Sequence, residues 1–154
     1  MMFKLLNNRQ TIQPMIKIIN FFLILTFINI SIGHAQTSKF FQKGILDFEE
    51  KKLDEAKINF EKDIVRNTKN IDSYLYLSKI HKLKKNESEF EKNLKTVLLL
   101  DPKNEEALYL FIKKKIEDAD YDVASTKIIL FKKVCKKMCN KSKELDKLKN
   151  KSNS

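Results

Sequence analysis

Apolar residues return every three or four positions along most of the chain, the spacing that lines one face of a helix. From Ser73 they fall at Tyr74, Leu77, Ile80 and His81 or Leu83, and after a polar break over residues 84–86 they resume at Phe90, Leu94, Val97 and Leu98. Asn86 with Glu89 three residues on reads as a capping-box start. Asn104 before Glu105 and Glu106 puts acids in a first turn, where the helix dipole favours them. Pro102 ends a helix because it has no N–H and disfavours helix in the residue before it. The pattern predicts six helices of about 12 to 14 residues, paired antiparallel. Beyond Phe131 it thins to Val134, Met138, Leu145 and Leu148 in a lysine-rich background. A terminal helix over roughly residues 142–149 is expected there, with the last residues frayed.

The helices also repeat. Leu53, Asp54, Glu55 and Ala56 followed by Phe60 match Tyr121, Asp122, Val123 and Ala124 followed by Ile128 at a separation of 68, twice 34. Glu87, Ser88, Glu89, Phe90 and Leu94 lie midway. Gly44, Ser78 and Ile112 share one column, and Phe40, Tyr74 and Leu108 another, while Thr68 and Pro102 fall at the closing turn. A fixed period of this length marks stacked supersecondary units. Small residues such as Gly44 and Ala56 let facing backbones approach, and Phe60, Leu94 and Ile128 fill the space beside them. The aromatic residues are accounted for by core packing.

These residues resemble the tetratricopeptide repeat family, a 34-residue helix-turn-helix unit, over residues 37–70, 71–104 and 105–136. Lys43, Phe90 and Ile112 depart from the family pattern. The resemblance implies an all-α fold, a short α-solenoid of three repeats within residues 36–139, closed by a lysine-rich capping helix and tail over 140–154. It also implies a concave groove lined by the first helix of each repeat. The groove places hold Phe41, Ile45 and Phe48 in the first repeat, Asp72, Leu75, Lys79 and Lys82 in the second, and Glu106, Tyr109, Lys113 and Ile116 in the third. Phe41, Phe48, Lys79, Lys82, Tyr109 and Lys113 are the candidate ligand-binding residues, and Lys79 and Lys113 are the expected contacts for a carboxylate. The lysine and asparagine clamp of chaperone-binding relatives is not reproduced, since Phe41 and Ile45 occupy its first places.

Ahead of the repeats, residues 18–32 carry no charge, follow Lys17, and precede Gly33 and Ala35. A basic residue, a short apolar run and small residues at the two inspected positions describe a secretory signal peptide over 1–35, cleaved after Ala35 or retained as an anchor. The run is short for a membrane span, which needs about 20 apolar residues. Met15 is an alternative start. The expected location is outside the cytoplasm, periplasmic or secreted, which argues against nucleic acid as a partner.

Charge then takes on a different meaning. The 154 residues carry a formal net charge of +11. Lys4, Arg9 and Lys17 stand unopposed in residues 1–35, residues 36–126 balance 18 bases with 18 acids, and residues 127–154 hold ten lysines against Glu144 and Asp146. A basic end of this kind suits an anionic lipid or polymer. AT-rich coding would account for much of the lysine, asparagine and isoleucine without any function.

The search for chemistry returns little. Beyond residue 35 there is one histidine, His81, and no glycine-rich phosphate loop, HExxH or nucleophile elbow. No catalytic residue, metal site, cofactor or small-molecule substrate is expected. Cys135 and Cys139 are the only cysteines. Four apart on a helix their Cβ atoms would be about 5–6 Å apart, whereas a disulfide wants about 3.5–4.5 Å. A bond therefore requires the helix to end or distort between them. A local disulfide, two free thiols, and intermolecular or metal pairing all stay open. The leading expectation is an exported, non-catalytic module that binds a protein or peptide segment. Its rivals are a tether acting through the basic tail and a thiol-dependent redox partner.

Overall fold

The computed structural model describes residues 38–152, with side chains through Lys151; the signal-peptide reading of residues 1–35 lies outside them. The described residues are all-helical and form seven α-helices: α1 (Lys39–Glu49), α2 (Leu53–Arg66), α3 (Ile71–Leu83), α4 (Glu87–Leu100), α5 (Glu105–Glu117), α6 (Tyr121–Val134) and, after a 3-10 turn at Cys139–Lys141, α7 (Ser142–Ser152). Each of the first six packs on its neighbours in sequence, and α7 packs on both α5 and α6.

Local chemistry sets these boundaries. Ser38, Asn70, Asn86, Asn104 and Asp120 each accept a backbone N–H from the first turn of the helix that follows, satisfying a donor the helix leaves open. The box expected at Asn86 is one-sided. Its side chain receives the Glu89 N–H at 3.3 Å, but its own N–H goes to the His81 carbonyl at 2.9 Å, and the Glu89 carboxylate pairs with Lys92.

That bond belongs to a motif occurring three times. Lys51, Lys85 and Ala119 adopt left-handed backbone, with φ of 61°, 57° and 58°. Around each, two N–H groups fold back on the preceding helix: Lys51 to Phe48 and Lys52 to Asp47, Lys85 to Lys82 and Asn86 to His81, Ala119 to Ile116 and Asp120 to Lys115. This is the Schellman ending, which satisfies the last carbonyls and turns the chain into the next helix. The three sites are 34 residues apart, so the sequence period is matched by a backbone period.

The core divides in the same way. One cluster holds Phe41, Ala56, Phe60, Leu77 and Ile80; the next Leu75, Phe90, Leu94, Val97, Ala107 and Phe111; the last Leu108, Ile112, Ile116, Ala124, Ile128, Phe131 and Leu145. Each cluster joins a helical hairpin to the helix that follows it. Among the residues the following helix inserts, Leu77, Phe111 and Leu145 are again 34 apart. Lys43, at the corresponding place in α1, is 63% exposed and pairs with Asp47.

The departures at Phe90 and Ile112 are absorbed by exchange of volume. Gly44 and Ala56 leave room for Phe60; in the second hairpin Ser78 faces a larger Phe90; in the third a larger Ile112 faces Ala124. All of these residues are buried. The α7 helix reaches Ser152, three residues beyond the sequence expectation, and Val134, Met138 and Leu148 pack against the last cluster beside Leu145.

Candidate functional site

The first helix of each hairpin, α1, α3 and α5, carries the six residues that the sequence singles out, and the structure treats them differently. Phe41, expected on the groove wall, is instead 8% exposed, wedged edge-on against Phe60 and Tyr76 with centroids 5.8 and 6.1 Å away. Its place in the repeat does not reveal that Gly44 lets the Phe60 ring come close and leaves Phe41 to cover it. Phe48 is half-buried with its ring edge-on to Tyr76 at 5.2 Å, and Tyr76 stacks on Phe60 at 4.8 Å.

Lys79 and Lys113, the expected carboxylate contacts, are not equivalent. The Lys79 ammonium is 2.7 Å from Glu106 and 4.9 Å from the Tyr76 ring centre, so its charge ties α3 to α5. Lys113 sits over the Tyr109 ring at 5.5 Å and has no ion pair among the described residues. Lys82 likewise has none, lying 5.1 Å from the Phe90 ring centre.

Tyr109 is taken up by α7. Its hydroxyl donates to Glu144 at 2.6 Å, Lys141 donates to the other oxygen of the same carboxylate at 3.0 Å, and the Lys141 ammonium is 5.6 Å from the Tyr109 ring centre. Burial, reinforced by the Glu144 carboxylate, pushes the Tyr109 phenol up to about 12. The same hydrogen bond, with Lys141, holds the Glu144 carboxyl below the usual range. The third hairpin's portion of the face is therefore covered by the chain itself.

What stays open lies nearer the amino end. A cleft of about 440 Å³ is bounded by Phe48, Glu49, Lys51, Leu53 and Leu83, and Leu83 is 61% exposed. Its wall is mostly apolar, with Glu49 and Lys51 as its charged residues; the Lys82 ammonium, next in sequence to Leu83, lies over Phe90 and not on this wall. The cleft can receive an apolar side chain.

A second cleft, of about 410 Å³, is unrelated to the groove places. It lies between the α4–α5 turn and the end of α6, where Lys103, Lys133 and Lys136 surround Leu130 and Val134. None of the three lysines has an ion pair among the described residues. The lysine excess of the chain's end signalled this charge, but Lys103 lies in the neutral stretch and joins only through the fold.

Cys135 and Cys139 are joined as a disulfide with Cα atoms 5.2 Å apart. Helix α6 ends at Val134, so Cys135 stands just past the helix and the helical separation no longer applies. Beside this bond, Glu105 at the start of α5 accepts the N–H of Lys137 at 3.0 and 3.2 Å and of Met138 at 2.7 Å. Those amides, Met138 first, hold its carboxyl below the usual range.

His81 is buried, and loss of solvent pushes its imidazole below the ordinary value. Among the described residues no group of histidine, cysteine, aspartate or glutamate could hold a metal ion, and no helix is long and apolar enough to cross a membrane. No protein-family model matches the chain, and no curated protein matches its sequence.

Proposed function

We propose that this chain is an exported tetratricopeptide-type repeat protein, a short α-solenoid of three units closed by α7. In this reading it acts in the cell envelope, periplasmic or secreted, as a non-catalytic module that holds a protein segment on the face of its first helices. The observation that carries the reading is the coincidence of three 34-residue periods: sequence columns, left-handed residues at 51, 85 and 119, and inserted residues at 77, 111 and 145. Stacked units of this kind present an extended face whose side chains are free of folding duties. The open cleft between Phe48 and Leu83 favours a segment with an apolar anchor.

Crosslinking the protein in its native envelope and identifying what co-purifies tests this. A defined protein partner is expected, lost in Leu83→Glu and kept in Lys133→Glu with Lys136→Glu. A salt-sensitive attachment to lipid or polysaccharide, with no protein recovered, would overturn it. That outcome is what the second reading requires, in which the basic end tethers the protein to an anionic lipid or polymer. Its support is the unpaired trio Lys103, Lys133 and Lys136 on one cleft.

A further inference from the structure

The end of α6, the disulfide and α7 form one mechanical unit. In the first two hairpins the second helix passes to the next through Asn67 and Asp101, with φ of −134° and −137°, and Asn70 and Asn104 then cap the following helix. At the third junction Cys135 is extended, with φ of −60° and ψ of 144°, but Met138, in the asparagine's place, offers no side-chain cap. The disulfide and the Glu105 carboxylate stand where that cap is missing. The bond closes residues 135–139 into a small ring, and Glu105 grips two successive amides of that ring from the start of α5.

Helix α7 has little to hold it otherwise. It is 11 residues long and mostly polar, and an isolated helix of that length is marginal in water. Its anchors are Leu145, which is fully buried, with Leu148 beside it, the Tyr109–Glu144 hydrogen bond, and an ion pair between Lys132 and Asp146 at 2.8 Å. All of these depend on the chain leaving α6 in the right direction. Cys139 is exposed, and Lys136 and Lys137 stand within the ring. Positive charge nearby stabilises a thiolate and so makes its sulfur a better leaving group.

We propose that the Cys135–Cys139 disulfide is a thiol–disulfide exchange site for an external dithiol, and that its reduction releases α7 from α5 and α6. One thiolate of the dithiol attacks the exposed Cys139 sulfur, and Cys135 departs as a thiolate and takes a proton. The second thiol of the dithiol, as its thiolate, then attacks its own sulfur in the mixed disulfide and frees Cys139, which is protonated in turn. Two electrons pass to the cysteine pair, and the dithiol leaves as a disulfide. The ring opens, Glu105 loses its fixed amides, and the apolar face of Leu108, Ile112, Ile128 and Phe131 loses the cover that Leu145 provides. This inference does not rest on the peptide-binding reading, since it concerns the closing helix and not the open cleft.

Amide hydrogen exchange on the full chain, oxidised and then treated with dithiothreitol, is the test. In the oxidised protein the amides of α7 are expected to be protected, and reduction should speed their exchange about tenfold or more while α2 to α4 are unchanged. Glu105→Ala with the disulfide intact should speed α7 exchange in the same way, and Cys135→Ser with Cys139→Ser should reproduce the reduced state without dithiothreitol. The proposal is overturned if α7 exchanges equally fast in both redox states, if Glu105→Ala leaves it protected, or if dithiothreitol reaches the bond only when the whole array unfolds.

Discussion

Gly44 is the only glycine in the described helices, and its lack of a side chain is used. A Cβ added there would stand 2.8–3.0 Å from three atoms of the Phe60 ring. That ring is fully buried, stacked on Tyr76 and bordered by Phe41, so it has nowhere to retreat. Alanine gains about 1 kcal/mol of helix propensity over glycine, while overpacking costs about 1–3 kcal/mol. Because the ring is hemmed in, the clash wins, and Gly44→Ala is expected to destabilise by about 1–2 kcal/mol in urea denaturation. Tyr109 gives a second expectation at this scale. Its phenol holds its proton up to about 12, above the unfolded value, so its contribution is full below about pH 10 and is lost as pH rises toward 12. Glu144→Gln removes the charge beside it, and the Tyr109 titration, followed by NMR, should move downward. An unmoved titration would mean that the hydrogen bond is absent in solution.

The helices are where the sequence speaks most clearly. Their periodicity, the asparagine caps and the 34-residue spacing are all legible because each is a local demand of the backbone or of one buried face. The left-handed residues are not, since two are lysines, the third is alanine, and no glycine announces the turn. Such backbone costs a non-glycine residue about 1–2 kcal/mol, and glycine gives back part of this through its freer unfolded chain. Lys51→Gly, Lys85→Gly and Ala119→Gly are therefore each expected to raise stability by about 0.5–1 kcal/mol. Equal denaturation midpoints for the triple variant and the parent would refute the three Schellman endings. Contacts across helices were the illegible part. Glu105 reads as an acid favouring its own helix, and nothing local tells that it meets amides 32 residues on. Phe41 and Tyr109 fall at groove places, yet one is buried by the neighbour Gly44 admits and the other is covered by α7.

At the scale of the whole molecule, one charged cluster among the described residues bears on stability against acid, where α4 meets α5. Glu91 accepts from Lys115 at 2.8 Å and Lys95 at 2.9 Å, and these two bonds, Lys115 first, hold its carboxyl down to about 2. A depressed carboxyl contributes stability above its unfolded value, near 4.5, and loses it as pH falls toward 2. Lys115 and Glu91 are 13% and 20% exposed, between the open pairs that are worth under about 1 kcal/mol and the buried ones whose rupture costs about 3–5 kcal/mol. Lys115→Met should cost about 1–2 kcal/mol at pH 7 and flatten the fall in stability between pH 4.5 and 2, read from denaturation midpoints across that range. A variant that keeps the parent's acid dependence would show that the pair is not formed.

Leu77, Phe111 and Leu145 do the same work at successive junctions, although the first two belong to helices that open a hairpin and the third to α7, which packs on α5 and α6. Each junction thus takes an apolar side chain at the same place in the period, whether from a helix that opens a hairpin, as α3 and α5 do, or from the mostly polar α7.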